Sequence, residues 1–444
     1  MTHPSESYVA EWQRATDRLR DAGPQGVRRL RVEAWERFLS LGFPSTRDEE
    51  WRFTSVAPIA EGDFALALPA SAVLPESAVA PFRLAVTLAA ELVFVDGRYA
   101  PALSRRGALP NGTRVESLAA SLAMDGYELE PYLGHVAPFQ RQPFVALNTA
   151  FLDEGACIRL PAGTILEAPI HLLFVSTGSQ SGRPVMTHPR VLVVLGGNSQ
   201  ASVVETHAGH AGARYLTNAI TEVVLGENAV LDHSKLQYES DEAYHVGAMY
   251  LEAQRSAVCT SNSISMGGAL VRNEIVVSLD GEGVECTLNG LYLADAARLV
   301  DHHTTIDHAR PHCGSREVYK GILADHARGV FNGKIIVRPD AQKTDARQTN
   351  RALLLSEDAL INTKPQLEIF ANDVKCTHGA TIGQLDDDAR FYLRSRGLSD
   401  EEAHRMLVHA FAADVLNRLP LAAVRASVEE RLQRQLARAW PAAA

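Results

Sequence analysis

The sequence predicts a mainly β protein in which a β-helix lies between two α-helical regions. Three observations lead to this fold class. Between about residues 145 and 385 the helical period disappears, and short β-rich runs alternate with turns. A degenerate Leu-x-x-x-Ala/Gly element recurs in the same stretch. Near both ends of the chain, apolar residues recur instead at helical spacing.

The N-terminal region is predicted to contain a pair of short helices. Its apolar residues recur at helical intervals until Gly42 and Pro44 end the pattern. The spacing is set by Trp12, Thr16, Leu19, Val27, Leu30, Ala34, Phe38 and Leu41. We assign residues 1–60 to this helical region and residues 61–145 to a mixed connecting segment.

The repeated element predicts stacked coils over residues 146–385. Its five copies begin at Leu225, Leu279, Leu293, Leu323 and Leu355. These leucines are separated by 54, 14, 30 and 32 residues, which are close to multiples of about 14. Each coil should turn at a Gly/Asp/Asn-rich step and stack its Leu and Val residues on the next coil. We therefore expect a continuous apolar ladder inside the β-helix.

Residues 386–444 are predicted to form a helical hairpin. The segment from Ser399 to Glu402 is a capping box, in which both side chains satisfy amide groups at a helix N-terminus. Beyond Pro420, an apolar residue falls at every fourth position. These positions are Val424, Val428, Leu432, Leu436 and Trp440.

Composition excludes several function classes. The 444 residues carry 43 Lys and Arg against 53 Asp and Glu, a formal charge of −10, so nucleic acid is not an expected partner. The N-terminus lacks the regions of a signal peptide, and no apolar run approaches the roughly 20 residues that span a bilayer. We expect a cytoplasmic protein without membrane contact. The five cysteines contain no C-x-x-C and are expected to be reduced thiols.

Standard catalytic motifs are missing. Gly329 to Ile335 suggests a phosphate loop, but it has three residues between its glycines and Ile after the lysine, where the Walker pattern needs four and Ser or Thr. We therefore expect no nucleotide to be bound by this chain. The sequence also has no G-x-S-x-G elbow and no H-E-x-x-H zinc site, so we predict that it is no enzyme on its own.

A first His/Cys cluster lies between Asp301 and Cys313. Imidazole and thiolate ligands suit zinc and iron, which makes His303, His308, His312 and Cys313 weak metal candidates. Their spacing fits no standard site, and alternation along strands would divide them between two faces. Ordinary coil and turn residues are the competing interpretation.

The second cluster is Cys376-Thr377-His378. In a strand, residues two apart share a face, so the thiol and the imidazole would project to one spot. Two ligands cannot close a four-ligand site, so a metal or cluster held here would need further ligands from another chain. Taken alone, such a pair is also compatible with packing residues of no special role.

From Asp301 to Asp386 the sequence resembles the SufD family of the SUF iron–sulfur cluster assembly system. The SufD-like Cys-Thr-His-Gly block and the absence of the cysteine-rich stretches of SufB favour SufD. The resemblance extends to the start of the chain and covers nearly all of it. Its blocks are 301–308, 319–322, 328–334, 340–346 with Gln348 and Asn350, 363–370, 373–385 and 391–397, together with 48–54 and 147–152.

The resemblance implies a right-handed parallel β-helix between helical ends. It implies a SufB-like partner that pairs through the β-helix, and a SufC-like ABC-type ATPase that binds the C-terminal helical region. A homodimer in isolation is also conceivable. For that ATPase, the candidate contact residues are Phe391, Tyr392, Arg394, Arg396 and Phe411.

The resemblance also implies a site. A family histidine matching His378 is implicated, with a cysteine and a glutamate of SufB, in building a transient iron–sulfur cluster at the shared interface, or in acquiring iron for it. Cys376 matches a cysteine of the same block with a less certain role. Two alternatives stay open. One is a purely structural module, and the other is a β-helical polysaccharide-active enzyme that uses Asp301, Asp307 and Asp325.

Overall fold

The computed structural model describes residues 5–20, 22–67, 74–180 and 182–439. The α-helices are α1 (Glu6–Leu19), α2 (Gln25–Leu41), α3 (Ala57–Ala60), α4 (Glu76–Val79), α5 (Leu118–Leu129), α6 (Pro143–Ala150), α7 (Asp387–Ser395), α8 (Asp400–Leu416) and α9 (Ala422–Ala439). Short 3-10 helices cover Glu49–Trp51 and Ala80–Phe82.

The strands before the regular coils are β1 (Ala65–Leu66), β2 (Ala90–Val95), β3 (Arg98–Tyr99), β4 (Arg105–Arg106), β5 (Arg114–Ser117), β6 (Gly155–Leu160), β7 (Ile170–Ser176), β8 (Ser179–Gln180) and β9 (Arg183–Thr187). Those of the coils are β10 (Arg190–Leu195), β11 (Gln200–Gly209), β12 (Leu216–Leu225), β13 (Val230–Tyr238), β14 (Tyr244–Ala253), β15 (Val258–Ser265), β16 (Leu270–Leu279), β17 (Glu285–Ala294), β18 (Leu299–His308), β19 (Gly314–Leu323), β20 (Arg328–Val337), β21 (Asp345–Leu354), β22 (Leu360–Ile369) and β23 (Lys375–Gly383).

The strands build two facing, mostly parallel sheets. In sheet 1 the order is β22-β20-β18-β16-β14-β12-β10-β6-β5, and in sheet 2 it is β23-β21-β19-β17-β15-β13-β11-β7-β2-β3. Successive strands alternate between the sheets, so the chain winds into a β-solenoid of about seven turns with helices at both ends. The predicted fold class is confirmed.

One coil contains two of the repeated sequence units. In sheet 1, Leu195 pairs with Leu225, Leu225 with Ala253, and Ala253 with Leu279, which are 30, 28 and 26 residues apart. The spacing of about 14 residues is therefore one strand plus one turn, half a coil. Asn228 and Asp325 lie in these turns at φ 57° and 54°, a left-handed conformation that Asn and Asp adopt more readily than most residues.

The two ends of the solenoid differ. At the N-terminal end, antiparallel strands close the sheets, with β5 on β6 and β3 and β4 on β2. At the C-terminal end, β22 and β23 are the last strands, and their side chains are half-buried or exposed. Within the described residues, this end of the solenoid is open.

The predicted terminal helices are present. Helix α2 ends at Leu41 and is capped by Gly42, whose φ of 63° is readily adopted by glycine. The Ser399–Glu402 capping box starts α8. Helices α8 and α9 bury their apolar stripe against the outer face of sheet 2, including Leu236 and Ile264. Trp440 lies outside the described residues.

The interior is not the continuous apolar ladder that the repeats predicted. One side is apolar, but the other contains Glu205, His233 and Lys235. These polar groups have partners: His233 Nε2 lies 3.0 Å from Glu205 Oε1, and the half-buried Lys235 donates from Nζ to Asn273 Oδ1 at 2.9 Å. Burial of polar groups is tolerated where they are paired in this way. The prediction is therefore wrong for this half of the interior.

Packing between coils leads to a stability prediction at Gly290. A Cβ added there would lie 2.1 Å from ring carbons of the buried Tyr319, its register neighbour on β19. We expect Gly290→Ala to lower the free energy of unfolding by about 1–3 kcal/mol, because overpacking displaces the ring. Urea titration measures this loss. Gly379→Ala is the control, since an added Cβ meets no described atom within 4 Å. Equal losses in the two variants would contradict the prediction.

Candidate functional site

Cys376 and His378 lie on β23, the last strand of sheet 2, at the open end of the solenoid. The Cys376 side chain is half-buried against the interior residues Ile335, Val337 and Ala346. Residues two apart on a strand share a face, so the exposed His378 also projects on the interior side. The two candidate ligands are thus adjacent at the mouth of the solenoid.

The Cys376 thiol is not strongly activated. Burial raises the pKa of this thiol, and the backbone contact with Ala346 only partly opposes the shift. A thiolate is the form that binds metal, so Cys376 would ligate only after a nearby cation had favoured its deprotonation. The chemistry therefore favours His378 as the primary ligand, because a neutral imidazole binds metal without losing a proton.

A polar column lies beneath His378. His378 pairs in register with Gln348 on β21, and Gln348 pairs with Glu317 on β19. Gln348 Nε2 donates to Glu317 Oε2 at 2.6 Å, and both residues are buried. Burial raises the pKa of Glu317 to about 7, and hydrogen bonds from Thr304 and Gln348 oppose that shift. Reasoning from the sequence did not find this column.

The backbone at the open end offers hydrogen-bonding groups. Lys375 N donates to Thr344 O at 2.8 Å, so this amide points toward β21. The backbone N–H groups of successive residues in a parallel strand point to alternate sides, so the N–H groups of His378, Ala380 and Ile382 point to the open edge. On β22, Leu360 N donates to Ala327 O at 3.0 Å, which places Pro365 at an edge-facing position where it breaks no ladder bond. Proline blunts the β22 edge, whereas the β23 edge has no proline.

The weaker metal candidates do not converge. His303 lies on the outer face of sheet 1, with Nε2 3.0 Å from Asp301 Oδ1 and Nδ1 3.3 Å from Glu50 Oε2. His308 is buried, its Nε2 lies 3.0 Å from Ser315 Oγ, and burial lowers its pKa to about 4.

His312 and Cys313 are also apart from the others. His312 occupies an exposed turn at φ 60°, whereas Cys313 is buried and its Sγ donates to Gly281 O at 3.2 Å. Among the residues that the structure describes, no group of three His, Cys, Asp or Glu side chains is arranged to hold a metal ion. Any metal at Cys376 and His378 would accordingly need ligands from elsewhere.

The segment from Asp48 to Thr54 fastens the N-terminal region beside the open end. The Arg272 guanidinium lies 4.3 Å from the centre of the Trp51 ring and donates to Asp301 Oδ2 at 2.6 Å. Thr54 Oγ1 donates to the same carboxylate oxygen at 2.5 Å. A cavity of about 170 Å³ lies next to these contacts, and its lining reaches Lys364 on the last strand of sheet 1.

The three acids of the polysaccharide alternative have separate structural contacts. Asp301 belongs to the cluster of Arg272 and Thr54, Asp307 pairs with Arg338 at 2.6 Å, and Asp325 accepts a hydrogen bond from Ala296 N at 2.9 Å. These contacts do not join the carboxylates into one catalytic arrangement.

Four of the five candidate residues for ATPase contact lie on or next to α7. Phe391 and Tyr392 are 73% and 56% exposed, Arg394 lies 3.4 Å from Asp400, and the Arg396 guanidinium lies 5.0 Å from the centre of the Tyr392 ring. Phe411 is different, because it joins α8 to the solenoid.

The Phe411 ring is 4.6 Å from Lys320 Nζ, and that ammonium also donates to Phe411 O at 3.0 Å. The resemblance, from which the candidates for ATPase contact came, did not separate this packing residue from the exposed ones on α7. Among the described helices, none has the length and apolar character needed to cross a membrane.

Comparison with known proteins identifies similarities over most of the chain. Residues 174–411 match the family model described as "SUF system FeS cluster assembly, SufBD core domain", and residues 2–172 match "SufBD protein N-terminal region". The chain is 32% identical over 402 residues to the iron–sulfur cluster assembly protein SufD of Escherichia coli K12, covering 90% of this chain and 91% of that protein.

Two further relatives match the chain over a similar length. An iron–sulfur cluster assembly SufBD family protein of Synechocystis is 35% identical over 399 residues, covering 88% of this chain and 87% of the relative. A chloroplastic protein of Arabidopsis thaliana is 30% identical over 425 residues, covering 94% and 88%.

Proposed function

Because the chain belongs to the SufBD family of iron–sulfur cluster assembly proteins and is SufD-like, we propose that it is the accessory subunit of a three-component assembly complex. In this proposal it pairs with a SufB-like subunit at the open end of the solenoid and binds a SufC-like ATPase through its C-terminal helices. It has no turnover of its own. Iron or a nascent cluster is the cargo at the shared interface.

The observation that carries the proposal is the position of His378 at an uncovered, edge-bearing end of the solenoid. Edge amides of β23 offer main-chain hydrogen bonds to an added strand, the usual basis of β-augmentation. Exposed apolar side chains surround this edge, namely Leu360, Ile369, Phe370 and Ile382. Exposed apolar patches of this kind are typical of protein interfaces.

A partner docked here would complete the ligand set. His378 and Cys376 supply two donors, and a tetrahedral site for iron or for a cluster needs four. A SufB-like chain that pairs along β23 would bring its own side chains to the same mouth. The interface then holds a site that neither chain contains alone.

Helix α7 is the proposed contact for the ATPase. Its exposed Phe391 and Tyr392 lie next to Arg394, and interfaces are enriched in aromatic residues and arginine. Phe411 would support this surface indirectly by holding α8 on the solenoid through Lys320. In the proposal, nucleotide-driven closure of the ATPase changes the geometry of the solenoid interface.

Ala380→Pro tests the docking edge. The N–H of Ala380 points to the open edge, and proline removes this N–H. We therefore expect Ala380→Pro to leave the isolated fold nearly unchanged. We also expect it to weaken binding of the SufB-like subunit by at least ten-fold. Affinity is measured by titration of the purified partner, and folding by urea titration. Thr377→Ala, a side-chain change on the same strand, is the control. Unchanged affinity for Ala380→Pro would contradict strand addition at β23.

The function itself is tested by assembly and reconstitution. The chain is copurified with a SufB-like and a SufC-like subunit, loaded anaerobically with iron and sulfide in the presence of ATP, and assayed for absorbance and iron content. We expect a stable ternary complex that forms cluster, and much less cluster when this chain is omitted. Failure to copurify, or equal cluster formation without the chain, would refute the proposal.

A further inference from the structure

We propose that Gln348 and Glu317 are positioning residues for His378. In this arrangement the side-chain carbonyl of Gln348 accepts the N–H of one ring nitrogen of His378, and the other nitrogen is presented to the cargo. Glu317 fixes the orientation of the Gln348 amide from the opposite side. The inference rests on the ligand role proposed for His378.

The three residues form one column inside the last coils. Glu317, Gln348 and His378 occupy consecutive register positions on β19, β21 and β23, and all project on the interior side. Neighbouring strands are about 4.8 Å apart, so each side chain is within reach of the next. His378 is the exposed end of the column, whereas the other two residues are buried.

The side-chain amide of Gln348 makes a hydrogen bond through its nitrogen, whereas its oxygen has no partner in the part of the chain that the structure describes. Its Nε2 donates to Glu317 Oε2 at 2.6 Å. Its Oε1 is buried and has no hydrogen-bond partner among the described residues. A buried polar atom without a partner needs an explanation, and His378 is the next residue of the column. The imidazole N–H is the group that this carbonyl can accept.

Glu317 determines which end of the amide faces His378. Because Gln348 Nε2 donates to Glu317 Oε2, the NH2 group points to Glu317 and the side-chain carbonyl points away from it. Gly333 on the facing sheet leaves room for this geometry, because a Cβ there would lie 2.2 Å from Gln348 Nε2. In the proposed arrangement, the carbonyl is turned toward His378, the next residue of the column.

Such an acceptor has a specific chemical effect. A histidine that ligates a metal usually donates its other ring N–H to a carbonyl or carboxylate, which selects the tautomer and fixes the plane of the ring. Without Gln348 the exposed ring of His378 would sample both tautomers and several orientations. With it, the lone pair of the distal nitrogen is held toward the mouth of the solenoid.

The test compares Gln348→Met with Glu317→Gln and with Gln348→Glu. Methionine keeps the volume of Gln348 and removes the carbonyl, while glutamate keeps an acceptor at the same place. We expect Gln348→Met to lower cluster content or iron affinity by 10–100-fold in the assembled complex, the range found for other partners of metal-bound histidines. Gln348→Glu should restore a substantial part of the loss. Gln254→Met, at an exposed turn, is the matched control.

The deciding readout is the tautomer of His378 in the full-length chain. Ring ¹⁵N shifts are recorded by NMR, and the His378 signals are identified by their absence in His378→Ala. We expect one predominant tautomer in the wild type and a mixture in Gln348→Met and Glu317→Gln. Identical ring shifts in wild type and Gln348→Met would overturn the inference, even if cluster content fell, because packing alone would then explain the loss.

The experiment separates this inference from the proposed function. If His378→Ala retains full cluster formation, His378 is not a ligand, and Gln348 and Glu317 have no ligand to position. If His378→Ala loses the cluster while Gln348→Met keeps both the cluster and the ring shifts, only the positioning role fails.

Discussion

Replacing His378 with alanine should abolish stable cluster formation by a complex that still assembles. The imidazole projects at the mouth of the solenoid beside Cys376, and burial raises the pKa of that thiol and so disfavours the thiolate, which leaves His378 as the primary ligand. Removal of residues that only support metal ligands costs 10–100-fold, and removal of the ligand should cost at least as much. Absorbance and iron content after anaerobic reconstitution measure the effect.

Thr377→Ala is the control for this prediction. Thr377 is exposed on the same strand, but its side chain projects on the opposite face. We expect this variant to assemble and to form cluster as the wild type does. If His378→Ala also forms cluster fully in an intact complex, the chain acts through its shape alone, and the structural-module alternative is correct.

The fold was predictable where local patterns carry it. Helical spacing up to Gly42 and the capping box at Ser399 are local signals, and the structure has helix boundaries at both places. Stacked coils were predictable because the Leu-x-x-x-Ala/Gly step marks turns. The polar half of the interior was not predictable. When both faces of a strand are covered, the strand no longer shows the alternation of buried and exposed residues that distinguishes its two faces. In β12 nearly every residue is buried, so Glu222 on one face and Thr221 on the other look alike in the sequence.

The candidate site was also predictable only in part, because strand alternation gives the face of a residue but not its neighbours on other strands. Alternation placed Cys376 and His378 on one face, and it divided the His303 cluster between faces, as the structure does. The neighbours of His378 depend instead on register, which follows from the length of each coil. Gln348 is 31 residues beyond Glu317, and His378 is 30 beyond Gln348. Coils elsewhere in the chain have 26, 28 or 30 residues, so no fixed repeat would have aligned the three.

The largest loss of stability is expected for Glu222→Leu. Arg190 and Glu222 are both fully buried, and Arg190 Nε donates to Glu222 Oε1 at 2.8 Å. Arg190 Nη1 also donates to Asn148 Oδ1 at 3.0 Å, and Glu222 Oε2 accepts from Ala137 N at 2.9 Å. The pair thus joins strands β10 and β12 to the segment around α6. Leucine at 222 leaves a guanidinium buried without its counter-charge, which costs about 3–5 kcal/mol.

Urea titration of three variants tests whether charge pairing or packing is responsible. Glu227→Leu removes the partner of Arg255 in a pair whose side chains are 56% and 57% exposed, and we expect little change because water screens such pairs. The double variant Arg190→Met, Glu222→Leu should regain most of the stability lost by Glu222→Leu, since no charge then remains buried. A double variant as unstable as the single one would mean that the hydrogen bonds to Asn148 and Ala137, rather than the charge pair, hold the N-terminal region on the solenoid.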